Sequence, residues 1–197
     1  MKYEAIVIGV SAGGMNALST VLPRLPDDFT LPIIIVQHMD PNSHDYLSDH
    51  LNQKCNIQVK EAEDKEKIMN GVAYIAPANY HLLLEEDRTL SLSVDDLVNY
   101  SRPSIDVMFE TAADVYRRSL VGVVLTGANA DGSKGLTKIK ALGGLAVVQD
   151  PATAHVDYMP KAAIASTRVD HILPLEDIAN LLTELSNSSR ADEEMKP

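Results

Sequence analysis

The chain has 197 residues, 45% of them hydrophobic and 23% charged, values of a globular protein large enough to bury one core without disulfides or metal. Lysine and arginine total 17 against 28 aspartates and glutamates, a net charge of −11, and such a surface repels nucleic-acid phosphates and anionic lipid heads. A single cysteine, Cys55, excludes an internal disulfide, no apolar run reaches the roughly 20 residues that span a bilayer, and the N-terminus shows no signal-peptide pattern, so a cytoplasmic protein is expected.

Residues 5–8 form a continuous apolar run, read as a strand buried on both faces and ended by Gly9. The turn Gly9-Val10-Ser11-Ala12-Gly13-Gly14 then leads into a helix over 15–22, with Met15, Leu18 and Leu22 on one stripe. Glycines at 9 and 13 relieve crowding in a tight strand-to-helix turn, so Ser11 stands exposed beside the unpaired N–H groups of the helix start. A dinucleotide site would need glycine where Ser11 stands. Taken alone, the turn is also compatible with an incidental serine.

Residues 33–36 form a second buried run that ends on Gln37-His38-Met39. Adjacent parallel strands share their carboxyl edge, where open sheets bind ligands. His38 therefore faces the same crevice as Ser11, and an imidazole is the natural general base near neutral pH. A helix over 43–51 sets His44 and His50 six residues apart, the wrong spacing for two metal ligands on one face. His81, His155 and His171 fall in or near loops and strand starts, and no metal set is expected.

Strands follow at 57–60 and 73–76, then a hairpin of 81–84 and 90–94 around the polar tip 85–89. Ser104 caps a helix whose Ile105, Met108, Ala112 and Val115 keep helical spacing. Residues 121–125 are another buried strand, and a glycine-rich loop runs from there to Gly135. Its Gly132-Ser133-Lys134 lacks the Gly-Lys-Ser/Thr order of a phosphate-binding loop, which argues against ATP. Asp131 in this loop either caps the next helix or orients His38. A helix over 135–142 stops at Gly143-Gly144, and Lys138 and Lys140 with the preceding Lys134 read as a solvated helix face. Segments 145–148, 159–165, 172–173 and 175–185 complete one domain over 1–185, and the polar stretch 186–197 is expected to fray. The fold class is α/β: a three-layer, mostly parallel, doubly wound (Rossmann-like) sheet with one antiparallel hairpin.

The chain order Ser11, His38, Asp131 differs from the Ser, Asp/Glu, His order of typical α/β-hydrolases. In this order the sequence resembles the catalytic domain of the chemotaxis protein-glutamate methylesterase family, CheB. Ile8 to Gly14 match its I-G-x-S-x-G-G turn, Gln37-His38 its Q-H, and Leu125-Thr126-Gly127 with Asp131-Gly132 its L-T-G and acidic loop. Residues 102–107 (Arg-Pro-Ser-Ile-Asp-Val), Gly143-Gly144 and Gln149-Asp150-Pro151 extend the likeness, which covers about 4–185.

The resemblance implies a serine hydrolase with the triad Ser11, His38 and Asp131, and an oxyanion segment around Ala12, Gly13, Gly127 and Ala128. It implies no cofactor and no metal. The substrate would be glutamate methyl esters on the cytoplasmic helices of chemoreceptors, with glutamine deamidation by the same chemistry, and Arg102 and Lys134 are candidates to bind those acidic helices. Ala12 stands where many members carry threonine, and Ala128-Asn129-Ala130 where they carry Met-Gly-Asn, so rate or preference is open to change. Many members also carry an N-terminal receiver domain. With the catalytic domain starting near residue 4, control by a separate protein is expected in place of phosphorylation in cis. Two other readings stay open: the same triad acting on another ester, and a non-catalytic module that keeps the fold and binds a partner.

Overall fold

A computed structural model describes residues 3–39 and 46–194. The elements in chain order are β1 (Ala5–Val10), α1 (Gly14–Val21), β2 (Ile33–Gln37), α2 (Tyr46–Asn52), β3 (Gln58–Glu61), β4 (Val72–Ile75), β5 (His81–Leu84), β6 (Leu90–Ser93), α3 (Ile105–Tyr116), β7 (Leu120–Val124), α4 (Ser133–Ala141), β8 (Leu145–Gln149), α5 (Tyr158–Ser166), β9 (His171–Leu173) and α6 (Leu175–Glu194). Seven strands form one sheet in the order β3-β4-β2-β1-β7-β8-β9, every pair parallel. β5 and β6 pair antiparallel in a separate two-stranded sheet.

The uninterrupted apolar strands have a direct physical cause, because both faces of the sheet are covered. Ile6, Ile8 and Val10 of β1 join one core with Leu18 of α1, Leu51 of α2 and Leu182 of α6. Ala5 and Val7 point the other way, into a core with Phe109 of α3, Ile139 of α4, Met159 of α5 and Leu82 of the hairpin. Register then sets the site. Gly9 pairs with Val36 on one side and Val124 on the other, so the ends of β1, β2 and β7 lie level at one edge.

Helix bounds differ from the sequence reading by a few residues, and α4 starts at Ser133 because Gly132 takes a left-handed conformation, φ 93°, and serves as its N-cap. Residues 43–45, and His44 with them, lie outside the described residues. The larger difference is at the C-terminus. The polar stretch from Ser186, expected to fray, continues α6 as far as Glu194. Ser186 and Ser189 are buried, where Ser186 Oγ accepts from Thr30 N at 2.9 Å and Ser189 Oγ from Tyr3 N at 3.2 Å. Composition hides this, because these serines close backbone groups of distant loops instead of adding apolar area. Ser186→Ala strands the part-buried N–H of Thr30 and should lower stability by about 1 kcal/mol, measured by urea unfolding; an unchanged midpoint would show that water replaces the hydroxyl.

Candidate active site

Three strand ends supply the chemistry. Ser11 follows β1 and donates its N–H to Thr126 O beyond β7 at 2.9 Å. His38 follows β2 and donates its N–H to Val10 O at 3.0 Å. Gln37 ties the two together: its Nε2 donates to Ser11 O at 3.0 Å and to His38 O at 2.7 Å. Gly13, at φ 82°, forms the left-handed N-cap of α1, a conformation open to glycine at little cost.

Asp131 lies in the loop between β7 and α4, only 1% exposed. Its Oδ2 is 2.8 Å from His38 Nε2. A carboxylate can only accept, so Nε2 carries the proton and Nδ1 is the ring nitrogen left for Ser11. Four further donors hold the carboxylate. Ser104 Oγ (2.9 Å), Asp106 N (3.1 Å) and Asn99 Nδ2 (2.8 Å) meet Oδ1, while Ile105 N (2.6 Å) meets Oδ2. The N-terminus of α3 is thus aimed at a negative charge, which its free N–H groups and dipole favour. Burial pushes the Asp131 carboxyl up, but the bonds from His38, Asn99 and Ile105 outweigh it, and its pKa lies below the ordinary carboxylate value.

Ser11 and His38 open onto adjoining cavities that share Met39. The larger, about 780 Å³, lies beside Ser11 and is lined by Met15, Asn16, Gln37, Leu47 and Lys54 among others. The smaller, about 180 Å³, lies beside His38 under Asn79, Leu97, Tyr100 and Arg102. The Ser11 hydroxyl has no hydrogen-bond partner among the described residues. The N–H groups of Ala12, Gly13 and Ala128 likewise meet no protein acceptor among them, which leaves them free for a negatively charged oxygen.

Other sequence candidates fall out differently. Gly127 donates its N–H to Val156 O and accepts from Met159 N, so it shapes the loop and is not an oxyanion donor. Arg102 lines the smaller cavity, yet its guanidinium is occupied by Asn79 Oδ1 and the carbonyls of Val94 and Asp95. These bonds brace the 94–101 loop and take up donors that an acidic helix would need. Lys134 stands exposed in the first turn of α4, outside both cavities. Lys138 and Lys140 are paired with Asp114 and Asp170. Half-burial of Cys55 pushes its thiol up to about 11, so it offers no thiolate at neutral pH.

Sequence reasoning missed Asn99 and Thr126. Thr126 Oγ1 donates to Ala12 O at 2.8 Å and accepts from Val156 N at 2.9 Å, locking the turn after Ser11 to the segment before α5. The threonine of Leu-Thr-Gly was visible as part of a motif. Asn99 had no signal, since it sits in an irregular polar loop.

Comparison with known proteins identifies the family. The CheB methylesterase family model matches residues 6–182. A protein of Leptospira interrogans (serovar copenhageni, strain Fiocruz L1-130) is 57% identical over 96% of this chain and 98% of its own length. A Desulfotalea psychrophila protein named protein-glutamate methylesterase/protein-glutamine glutaminase is 40% identical over 90% of this chain, which spans 50% of that longer relative. Among solved structures, the crystal structure of the Thermotoga maritima CheB methylesterase catalytic domain superposes with a TM-score of 0.89 at 37% identity, covering 94% of this chain and 100% of that one. With the family model, a full-length relative and a matching fold all covering nearly its whole length, this chain belongs to the CheB methylesterase family.

Proposed function

We propose that the protein removes methyl groups from glutamate methyl esters on the cytoplasmic helices of chemoreceptors, and deamidates glutamine there by the same acyl chemistry. The observation that carries this reading is the Asp131–His38 pair, 2.8 Å apart, beside an unengaged Ser11 hydroxyl in a chain of this family. Ser11 Oγ attacks the ester carbonyl while His38 Nδ1 takes its proton, and Asp131 stabilises the imidazolium that forms. The N–H groups of Ala12 or Gly13 and of Ala128 hold the oxyanion. Being backbone donors, they survive the alanines at 12 and 128. The imidazolium returns its proton to the methoxy oxygen, methanol leaves, and water activated by His38 hydrolyses the acyl-serine to glutamate. For glutamine the leaving group is ammonia.

A cytoplasmic location follows from the substrate. No described helix is long and apolar enough to cross a membrane. The test is incubation with radiomethylated receptor, which should release volatile methanol, together with fluorophosphonate labelling, which should modify Ser11. Labelling without methanol release would favour a different ester substrate, and no labelling would favour a binding module.

Gly13→Ala probes the turn without touching a reacting side chain. A methyl group there would meet His155 Cβ at 2.6 Å and sit at φ 82°. Shifting the turn displaces an oxyanion donor, so kcat should fall by about 100-fold or more. Full activity in this variant would place the oxyanion donors elsewhere.

A further inference from the structure

Asn99 stands on the exposed loop between β6 and α3, in a left-handed conformation at φ 52°. Its neighbours face solvent: Leu97 is 58% and Tyr100 is 99% exposed. Its amide turns inward and spends one N–H on each of two buried carboxylates, Asp131 Oδ1 at 2.8 Å and Asp106 Oδ2 at 2.9 Å. Asp106 is 3% exposed, and its other oxygen accepts Gly135 N at 2.8 Å. Two acids, one of them bonded to His38, therefore share a single neutral donor group.

We propose that Asn99 is a positioning residue for hydrolysis: its amide clamps Asp131 and Asp106 side by side and keeps the Asp131 carboxylate aimed at His38. This rests on the hydrolytic reading above. The loop does not need Asn99 to hold its shape, since Arg102 ties the carbonyls of Val94 and Asp95 and His81 Nε2 donates to Asp96 O. The clamp has an electrostatic purpose. Two buried carboxylates this close drive one of them to take up a proton unless a donor lies between them. A lysine there would hold both anions but would compete with the imidazolium for Asp131, whereas an amide satisfies both and leaves the negative charge for His38. Burial pushes the Asp106 carboxyl up and repulsion from Asp131 adds to this, with the Asn99 bond acting against both. The same bond helps hold Asp131 down.

The test is Asn99→Gly, which keeps the left-handed backbone and removes only the amide, with Asn99→Asp as the isosteric second variant. In Asn99→Gly, kcat should fall by about tenfold, equivalent to roughly 1.4 kcal/mol of transition-state stabilisation, with KM within about twofold. The acid limb of kcat/KM should move to higher pH, because a carboxylate that loses a donor grips the proton shared with His38 more strongly. Asn99→Asp adds a third negative charge and should be slower still. Carbon-13 titration of the aspartate carboxyls should show Asp131 and Asp106 protonating at higher pH than in the unaltered protein. Unchanged kcat and an unchanged acid limb, with only a lower melting temperature, would overturn the proposal and leave Asn99 a loop brace. If the unaltered protein releases no methanol, the hydrolytic reading fails by itself. The carboxyl titration still decides the clamp, and identical Asp131 titration with and without Asn99 would sink it.

Discussion

Ser11→Ala should reduce methanol release to background, a loss of about a millionfold in turnover, the scale reached when a hydrolase loses its nucleophile. The folded protein should hardly notice. Ser11 is half-exposed at a strand end and its hydroxyl engages no partner among the described residues, while the backbone of Ser11 makes the bonds that matter, to Thr126 O and from Gly14 N and Gln37 Nε2. The stability change should stay within about 0.5 kcal/mol. His38→Ala should be as inactive, since without a base the hydroxyl remains a poor nucleophile. It should cost more in stability, about 1–2 kcal/mol, because the buried Asp131 loses one of its donors. Measured turnover with radiomethylated receptor and urea unfolding separate the two effects. Near-normal turnover in purified Ser11→Ala would remove Ser11 from the chemistry.

The architecture was legible because its signals are strong and local. Runs such as 33–36, apolar without alternation and short, read as strands covered on both faces, and Gly-rich turns after two of them, β1 and β7, mark the carboxyl edge that carries Ser11 and Asp131, with His38 at the end of β2 between them. Ser104 was legible as a helix cap, and it does accept from Val107 N. That the same hydroxyl, and the whole start of α3, also face Asp131 was not legible, because nothing in spacing shows which loop a helix N-terminus meets. The differences between pattern and structure share this cause. Arg102 is in sequence a candidate to bind acidic helices, and in space three carbonyl-type acceptors of its own chain surround it. Ser186 and Ser189 read as a polar tail, but their partners lie 156 and 186 residues away. Gly127 matched a motif, and only the bond to Val156 shows what the glycine does there. Local patterns declare elements and edges; a side chain's role is set by long-range neighbours.

Asp131 offers the sharpest separation of chemistry from folding. Asp131→Ala leaves Ser104 Oγ, Ile105 N, Asp106 N and Asn99 Nδ2 facing an empty buried space, and should destabilise the protein by about 3–5 kcal/mol, or roughly 2–4 °C in Tm per kcal/mol for a chain of this size. Asp131→Asn keeps the shape but brings two N–H groups into a ring of donors. Three donors converge on the Oδ1 position and two on Oδ2, so the amide keeps its oxygen at Oδ1 and its NH2 opposes Ile105 N and the His38 ring. To avoid a clash with the amide, the ring would present an unprotonated Nε2 and carry its hydrogen on Nδ1, the nitrogen that should accept from Ser11. Turnover should therefore fall by about 10,000-fold, as expected of a base locked in the wrong tautomer, while the hydroxyl of Ser11 stays in place. The stability difference has a pH signature. The folded-state pKa of Asp131 is depressed, so its stabilising contribution is fully present above the unfolded carboxylate value of about 3.9 and is lost as pH falls through the folded value. The Tm gap between the protein and Asp131→Asn should thus be full at pH 7 and shrink as pH drops below about 4. A gap that stays constant to low pH would mean that Asp131 is held neutral in the fold, and that the imidazolium is stabilised by another group.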